Sequence, residues 1–393
     1  GVPHQENPAV IIEAGSADAE RHAARQKEEA VEKPQHDAPA RAACFGYSST
    51  GHTSLRIARG IFITNLRFVR YVCAMFKFAH ISDIHLGPLP KLTLRELMSK
   101  RITGFVNWHR NRRKHLFVNT LDLLLSDLKT RHPDHLVVTG DLVNLATGIE
   151  IGLAREWLDT IGDPLHTTLV PGNHDAYVPG AHDRSVEAWY PFIASDDDSH
   201  AWADEEHIFP TLRRRGPVAI IGCSTSNATP PFSASGYFSP RQARETVNLL
   251  KQAGEDGLFR VVLIHHPPIH GAAASHKRMI GIRRFAAAIS TGGAELVLHG
   301  HTHLNTVYSL KTHEDPVPVV GIASASQGPG GHKPRAAYNL FTLTGEQGGW
   351  NLVCERYALS ETGDHIQLDE TRTFSGRAPL PISVEEAARV LQN

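Results

Sequence analysis

From Phe76 onward the chain carries short apolar runs at intervals: Phe76–Ile81, Leu136–Val138, Thr168–Val170, Val218–Ile221, Val261–Ile264 and Leu296–Leu298. Runs of this length, rich in Val, Ile and Leu, predict buried strands. Helical periodicity lies between several of them. His115–Leu128 sets Leu121, Leu124, Leu125 and Leu128 on one stripe. Ser239-Pro240-Arg241-Gln242 combines an N-cap serine, an N1 proline and a capping-box glutamine at the head of a helix reaching about Lys251. Strands alternating with helices give a layered α/β domain. After His301 only short strands are predicted, at Thr306–Leu310, Val317–Ile322, Tyr338–Thr344 and Asn351–Ala358, and a second sheet packed on the first accommodates them.

The two ends of the chain read differently. Residues 1–74 are rich in Ala, Glu, Gln and Pro and then in Arg, without sustained apolar periodicity, which predicts a poorly ordered extension. The first methionine is Met75, directly before the first convincing strand, so translation starting there and a regulatory tail are both compatible readings of that extension. The folded domain is expected over 75–373. Residues 374–393 form a tail whose capping box, Ser383 to Glu386, opens a short helix to about Leu391.

Composition narrows the function classes. Hydrophobic residues make up 41% and charged residues 21% of the 393 residues, as in an ordinary globular protein. A formal net charge of -1 supplies no global basic field for nucleic acid. Four cysteines, Cys44, Cys73, Cys223 and Cys354, are scattered without a C-x-x-C pair, which excludes a disulfide scaffold or Cys-rich zinc site and predicts a reducing, cytoplasmic setting. No apolar run is long and uncharged enough to span a bilayer. Histidine, at 25 residues, is abundant, so a bound metal would be held mostly by His and Asp.

Five of the predicted strands end in residues of metal-ligand type. Asp83 and His85 follow the first, Gly140-Asp141 the second, and Gly172-Asn173-His174-Asp175 the third. His265-His266-Pro267 and Gly300-His301-Thr302-His303 follow two later strands. The carboxyl ends of strands in an open α/β sheet converge on one crevice, so residues far apart in sequence can meet there. In Asp83-x-His85 and His301-x-His303 an extended backbone would send both side chains of a pair to the same side. Glycines allow the tight turns that would let the backbone approach bound ions.

In this order the motifs resemble those of the calcineurin-like metallophosphoesterase superfamily, D-x-H, G-D, G-N-H-D/E, H and G-H-x-H, over roughly Phe76 to Leu310. The resemblance implies a four-layer α-β-β-α sandwich, with two mixed sheets packed face to face and the metal site at the carboxyl ends of the central strands. It implies two divalent cations, one on Asp83, His85 and His303, the other on Asn173, His265 and His301, with Asp141 bridging. Mixed carboxylate, amide and imidazole donors suit Mn, Fe or Zn better than Mg or Ca. The implied activity is hydrolysis of a phosphomonoester, phosphodiester or pyrophosphate bond by in-line attack of a metal-bridging hydroxide. His174, by resemblance not a ligand, is assigned to transition-state stabilisation or leaving-group protonation, and Asp175 to orienting it or its loop. His266 and His299 read as supporting or packing residues, and Asn144 as orienting Asp141 or capping the next segment.

Substrate is less constrained. Residues 91–115 form a basic amphipathic insertion: Lys91, Arg95, Lys100, Arg101, Arg110, Arg112, Arg113 and Lys114 stand against Glu96 alone, interleaved with Leu92, Phe105 and Trp108. Such a segment suits peripheral contact with an anionic membrane surface or a phosphorylated, nucleotide or lipid-linked substrate, or serves only as a solvated helix. It loosely resembles the lid segments of phosphoesterases acting on nucleotide-linked acylated sugars. A nuclease using Arg110–Lys114 on phosphates is the alternative, and a non-catalytic scaffold retaining the fold the third.

Overall fold

A computed structural model describes residues 75–110, 118–196, 208–313 and 315–376. The expected extension (1–74), the distal part of the insertion (111–115) and the tail helix lie outside the described residues. The last strand runs to Gly376, three residues past the domain boundary expected from sequence.

Among the described residues the strands in chain order are β1 (Phe76–Ile81), β2 (His135–Val138), β3 (Thr167–Leu169), β4 (Thr211–Arg215), β5 (Val218–Gly222), β6 (Gly236–Tyr237), β7 (Phe259–Leu263), β8 (Met279–Ile280), β9 (Leu296–His299), β10 (Thr306–Leu310), β11 (Val317–Gly321), β12 (Ala337–Thr344), β13 (Trp350–Leu359) and β14 (Ile366–Gly376). One six-stranded sheet has the order β14-β13-β12-β1-β2-β3 and the other β10-β11-β9-β7-β5-β4. In the first, β1, β2 and β3 run parallel while β12 lies antiparallel to β1. In the second, β5, β7, β9 and β11 are parallel, flanked by antiparallel β4 and β10. Both sheets are therefore mixed. The late strands do not build a second sheet of their own, as the sequence pattern suggested. They divide, β10 and β11 completing the sheet of β5, β7 and β9, and β12 to β14 extending the sheet of β1. Apolar alternation cannot specify which sheet edge a strand joins, because every edge presents the same row of backbone groups.

Residue parity shows how the layers stack. Val218, Ile220, Val261, Leu263, Leu296 and Leu298 share a core with Phe78, Val137 and Phe341 of the first sheet. Their neighbours Ala219, Ile221, Val262, Ile264 and Val297 instead pack with Leu250, Phe285 and Ile289 of two helices, Pro240–Glu255 and Ile282–Gly292. Side chains alternate between faces of a strand, so one face of the second sheet meets the first sheet and the other meets helices. Phe78 and Phe341, stacked with centroids 4.9 Å apart, belong to the inter-sheet core. Helix Val118–Thr130 packs against β12 to β14 and helix Ala181–Ile193 against β3. The architecture is the four-layer α-β-β-α sandwich.

Local signals were followed closely where they were strong. Leu121, Leu124, Leu125 and Leu128 are all buried. Ser239 accepts the Gln242 N–H as an N-cap, but the glutamine side chain bonds Ser224 N and O rather than closing a capping box.

Candidate metal centre

The central strands of both sheets deliver their following loops to one place. Asp83 and His85 follow β1, Asp141 follows β2, and Asn173, His174 and Asp175 follow β3. His265 follows β7, and His301 and His303 follow β9. Asp83, His85, Asp141, Asn173, Asp175 and His265 are buried. The loops leave the strands abruptly: Asp83 (φ 54°), His85 (φ 46°), Asp141 (φ 57°), His301 (φ 68°) and His303 (φ 53°) all occupy left-handed backbone. The extended geometry expected for Asp83-x-His85 and His301-x-His303 is thus replaced by a tighter one. Left-handed backbone is unfavourable for residues bearing a Cβ and is retained where the surroundings impose it, often at functional sites.

Glycines permit the loops to meet. A Cβ on Gly172 would run into Asp141, and one on Gly300 into Ser82 Oγ and Asp83 Oδ2. The close approach at both glycines is between ligand-bearing loops.

Two groups of donor atoms result. In the first, His303 Nε2 is 3.1 Å and His85 Nε2 4.0 Å from Asp83 Oδ1, and the two histidine nitrogens are 3.3 Å apart. In the second, Asn173 Oδ1 lies 3.2 Å from His265 Nε2 and 2.7 Å from His301 Nδ1. Asp141 Oδ2 stands between the groups, 3.8 Å from His85 Nε2 and 3.4 Å from His265 Nε2. Asp83, His85 and His303, and likewise Asp83, Asp141 and His265, each offer ligand atoms within 4.8 Å of one another.

Backbone carbonyls fix the imidazoles. His85 Nδ1 bonds Val143 O (3.1 Å), His265 Nδ1 bonds Thr139 O (2.6 Å), and His301 Nε2 bonds Lys277 O (2.9 Å). A carbonyl can only accept, so these nitrogens carry the protons and the opposite nitrogens turn toward the oxygens of Asp83, Asp141 and Asn173. Lone pairs then face lone pairs unless a proton or a cation intervenes. Asp83 Oδ1, buried, accepts no hydrogen bond. Burial would raise the Asp141 carboxyl, but His265, His174 and His85 hold it well below its ordinary value. Burial lowers His265, yet Asp141, Asp83 and the Thr139 carbonyl together more than offset this and lift it to about 9. Two buried carboxylates and an amide oxygen beside nitrogen donors match the donor set of borderline divalent cations.

Other residues hold this array in place. Asp175 Oδ2 accepts the N–H groups of Gly172 (2.7 Å) and Asp141 (2.8 Å), and its Oδ1 those of Leu142 (2.9 Å) and Val143 (3.2 Å). It clamps the Asp141 loop, which makes it a positioning residue. His174 donates its backbone N–H to Asp141 Oδ1 (2.7 Å), and its Nδ1 bonds Asn144 O (2.6 Å). Asn144 thus supports the site through its carbonyl, while its side chain bonds Leu86 O. Both nitrogens of His266 are engaged, by Thr225 Oγ1 and Ala234 O, and His299 bonds Gly300 O, so both serve as supports. Glu150 was not foreseen. Buried, it accepts N–H groups of Asn144, Leu145 and Thr147 and so shapes the loop after Asp141. Its signal was the capping box Thr147-Gly-Ile-Glu150.

The insertion reaches this site. Arg101 donates to Leu145 O (2.9 Å) and Ala146 O (2.7 Å), fastening helix Arg101–Arg110 beside the Asp141 loop. A cavity of about 430 Å³ lies between that helix, residues 232–234 and 276–277, and the Asn173-His174 loop. Among the described residues, no helix is long and apolar enough to cross a membrane.

The chain belongs to the calcineurin-like phosphoesterase family, whose model matches residues 76–305. Solved structures with a similar fold include a dimetal phosphatase from Danio rerio, at 12% identity over 76% of this chain and 98% of that one, with a TM-score of 0.47. Purple acid phosphatase from yellow lupin is similar at 12% identity over 81% of this chain and 55% of that one, TM-score 0.49. Vacuolar protein sorting 29 from Cryptosporidium parvum gives 12% identity, 77% and 99% coverage and a TM-score of 0.36. No curated protein sequence matches the chain.

Proposed function

We propose that this protein is a dinuclear metal-dependent phosphoesterase. The observation that carries the reading is the convergence of imidazole nitrogens, tautomerically fixed by carbonyls, on the buried oxygens of Asp83, Asp141 and Asn173. One divalent cation would be held by Asp83, His85 and His303, the other by Asn173, His265 and His301, and Asp141 would be shared. Two such ions, Mn, Fe or Zn by donor type, supply Lewis acidity toward phosphoryl oxygens and a water acidic enough to ionise near neutral pH. The protein residues do the rest. Asp175 and Glu150 keep the Asp141 loop rigid. The Nδ1–H bond of His174 to Asn144 O fixes its tautomer, and Nε2 is the atom assigned to proton transfer with the departing oxygen.

Substrates in this reading are phosphorylated small molecules, with a lipid-linked or nucleotide-linked group as the finer assignment. Peripheral membrane contact through 91–115 is favoured by one feature: Leu94, Met98, Ile102 and Val106, at four-residue spacing, are 82%, 85%, 52% and 40% exposed. Co-sedimentation with phosphatidylglycerol vesicles tests it, with binding reduced by Ile102→Ser and Val106→Ser. Equal sedimentation of the variants would discard the contact.

The principal test is hydrolysis of bis(p-nitrophenyl) phosphate. Asp141→Ala and His265→Ala abolish it, and chelation silences the wild type until Mn, Fe or Zn is restored. Undiminished hydrolysis by the chelated protein would contradict the reading.

A further inference from the structure

The cavity beside the metal centre carries a charge that the phosphoesterase reading leaves unused. Lys100, half-buried, donates from Nζ to Thr229 Oγ1 (2.7 Å) and Ser233 O (2.9 Å), and the ammonium sits 4.7 Å over the Tyr177 ring. Tyr177 in turn stacks on His174 at 5.3 Å. Among the described residues the contacts of Lys100 are all with neutral groups, and no carboxylate lines the cavity, whose wall also includes Lys277 and His276. A partly desolvated cation with only neutral partners is costly to maintain. Burial lowers the Lys100 ammonium to about 8, which an anion alongside would reverse. The position is specific. Lys100 is one aromatic ring removed from His174, so it stands beside the phosphate expected over the metals rather than on it. The helix that begins at the next residue cannot easily withdraw, because Arg101 is bonded to the Leu145 and Ala146 carbonyls, and Gly104 is pressed so near the Leu145 and Tyr177 side chains that a Cβ would collide with both.

We propose that Lys100 anchors a second anionic group of the substrate, so that the preferred substrate is a phosphoanhydride ester whose two phosphates span the metal centre and this amine. The assignment rests on the phosphoesterase reading and specifies its substrate class. Nucleotides and lipids present the same pair of phosphates, and Trp108, Tyr177 and Phe232 in the cavity wall offer surface to either.

ADP-ribose and farnesyl diphosphate, each compared with bis(p-nitrophenyl) phosphate, which lacks a second anion, test the proposal on the full-length metal-loaded chain. Lys100→Met is expected to raise KM for at least one diphosphate about tenfold more than for the aryl diester, the effect of one charge-assisted contact. Lys100→Arg is expected to keep the preference, and Lys100→Gln replaces the methionine variant if that one does not fold. ADP titrated calorimetrically into the metal-free chain, which reads binding without turnover, is expected to bind about tenfold more weakly to Lys100→Met. Equal KM changes for all substrates, or ADP binding indifferent to Lys100, would overturn the proposal. If no substrate is hydrolysed with any metal while ADP binding still depends on Lys100, the phosphoesterase reading fails and the anion site stands.

Discussion

Replacing Asp175 by asparagine isolates the clamp on which the candidate centre depends. Its two carboxylate oxygens each accept two backbone N–H groups, from Gly172 and Asp141 on one side and from Leu142 and Val143 on the other. An amide offers only one oxygen, so in either orientation its NH2 confronts two N–H donors inside a fully buried site. Hydrogen bonds to a charged group contribute about 1.5–3 kcal/mol each, so losing two predicts a destabilisation of about 3–6 kcal/mol. That is a large share of the roughly 5–15 kcal/mol typical of a folded domain. Burial and the Asp141 carboxylate push Asp175 up to about 7, so ionising it opposes folding and asparagine relieves part of that cost. The loss of about 3–6 kcal/mol is therefore an upper limit, read by urea unfolding at pH 8.5, where the side chain is ionised. Metal affinity is expected to fall in parallel, since the N–H of Asp141 is one of the four donors. A loss below about 1 kcal/mol, the worth of one ordinary neutral hydrogen bond, would refute the reasoning.

Two further outcomes are expected. Gly300→Ala, at a glycine outside the left-handed region, drives a methyl group into Ser82 and Asp83; stability measured by urea denaturation falls by about 1–3 kcal/mol, as in overpacked cores, with weaker metal binding by equilibrium dialysis. His135 is buried and holds Thr168 Oγ1 through Nε2, while Nδ1 has no partner to receive a proton. Burial, then Arg215 and Arg213, lowers it from 6.5 to about 2. The unfolded chain takes up that proton below about pH 6.5 and the folded chain does not, so stability falls as pH drops. Between pH 7.5 and 5.5 this site accounts for about 1.4 kcal/mol, and urea midpoints of His135→Phe should show a correspondingly flatter pH dependence. An unchanged slope would show that His135 does not titrate in this way.

The residues of the candidate centre were legible because each follows an apolar strand, and strands of one sandwich aim their carboxyl ends together. What the strands could not reveal was the conformation beyond them. Asp83, His85, Asp141, His301 and His303 leave in left-handed backbone, a geometry imposed by contacts such as those of Gly300 with Ser82 and Asp83, which join residues some 220 positions apart. The same limit applies to Lys100 and Arg101. Their spacing announced a basic amphipathic segment, but their partners Thr229, Ser233, Leu145 and Ala146 are distant in sequence. Glu150 is the opposite case, since its capping box is local and readable. Sheet membership of β10 to β14 was hidden because side-chain alternation records burial and not neighbours.

The central claim is that these converging donor atoms hold two divalent ions that support phosphoester hydrolysis. Titrating Mn(II) or Zn(II) into the chelated, metal-free chain while following bis(p-nitrophenyl) phosphate hydrolysis tests it most directly. The account predicts activity that saturates at two equivalents per chain in the wild type and does not appear in Asp141→Ala. Hydrolysis independent of added metal, or an identical titration for Asp141→Ala, would contradict it.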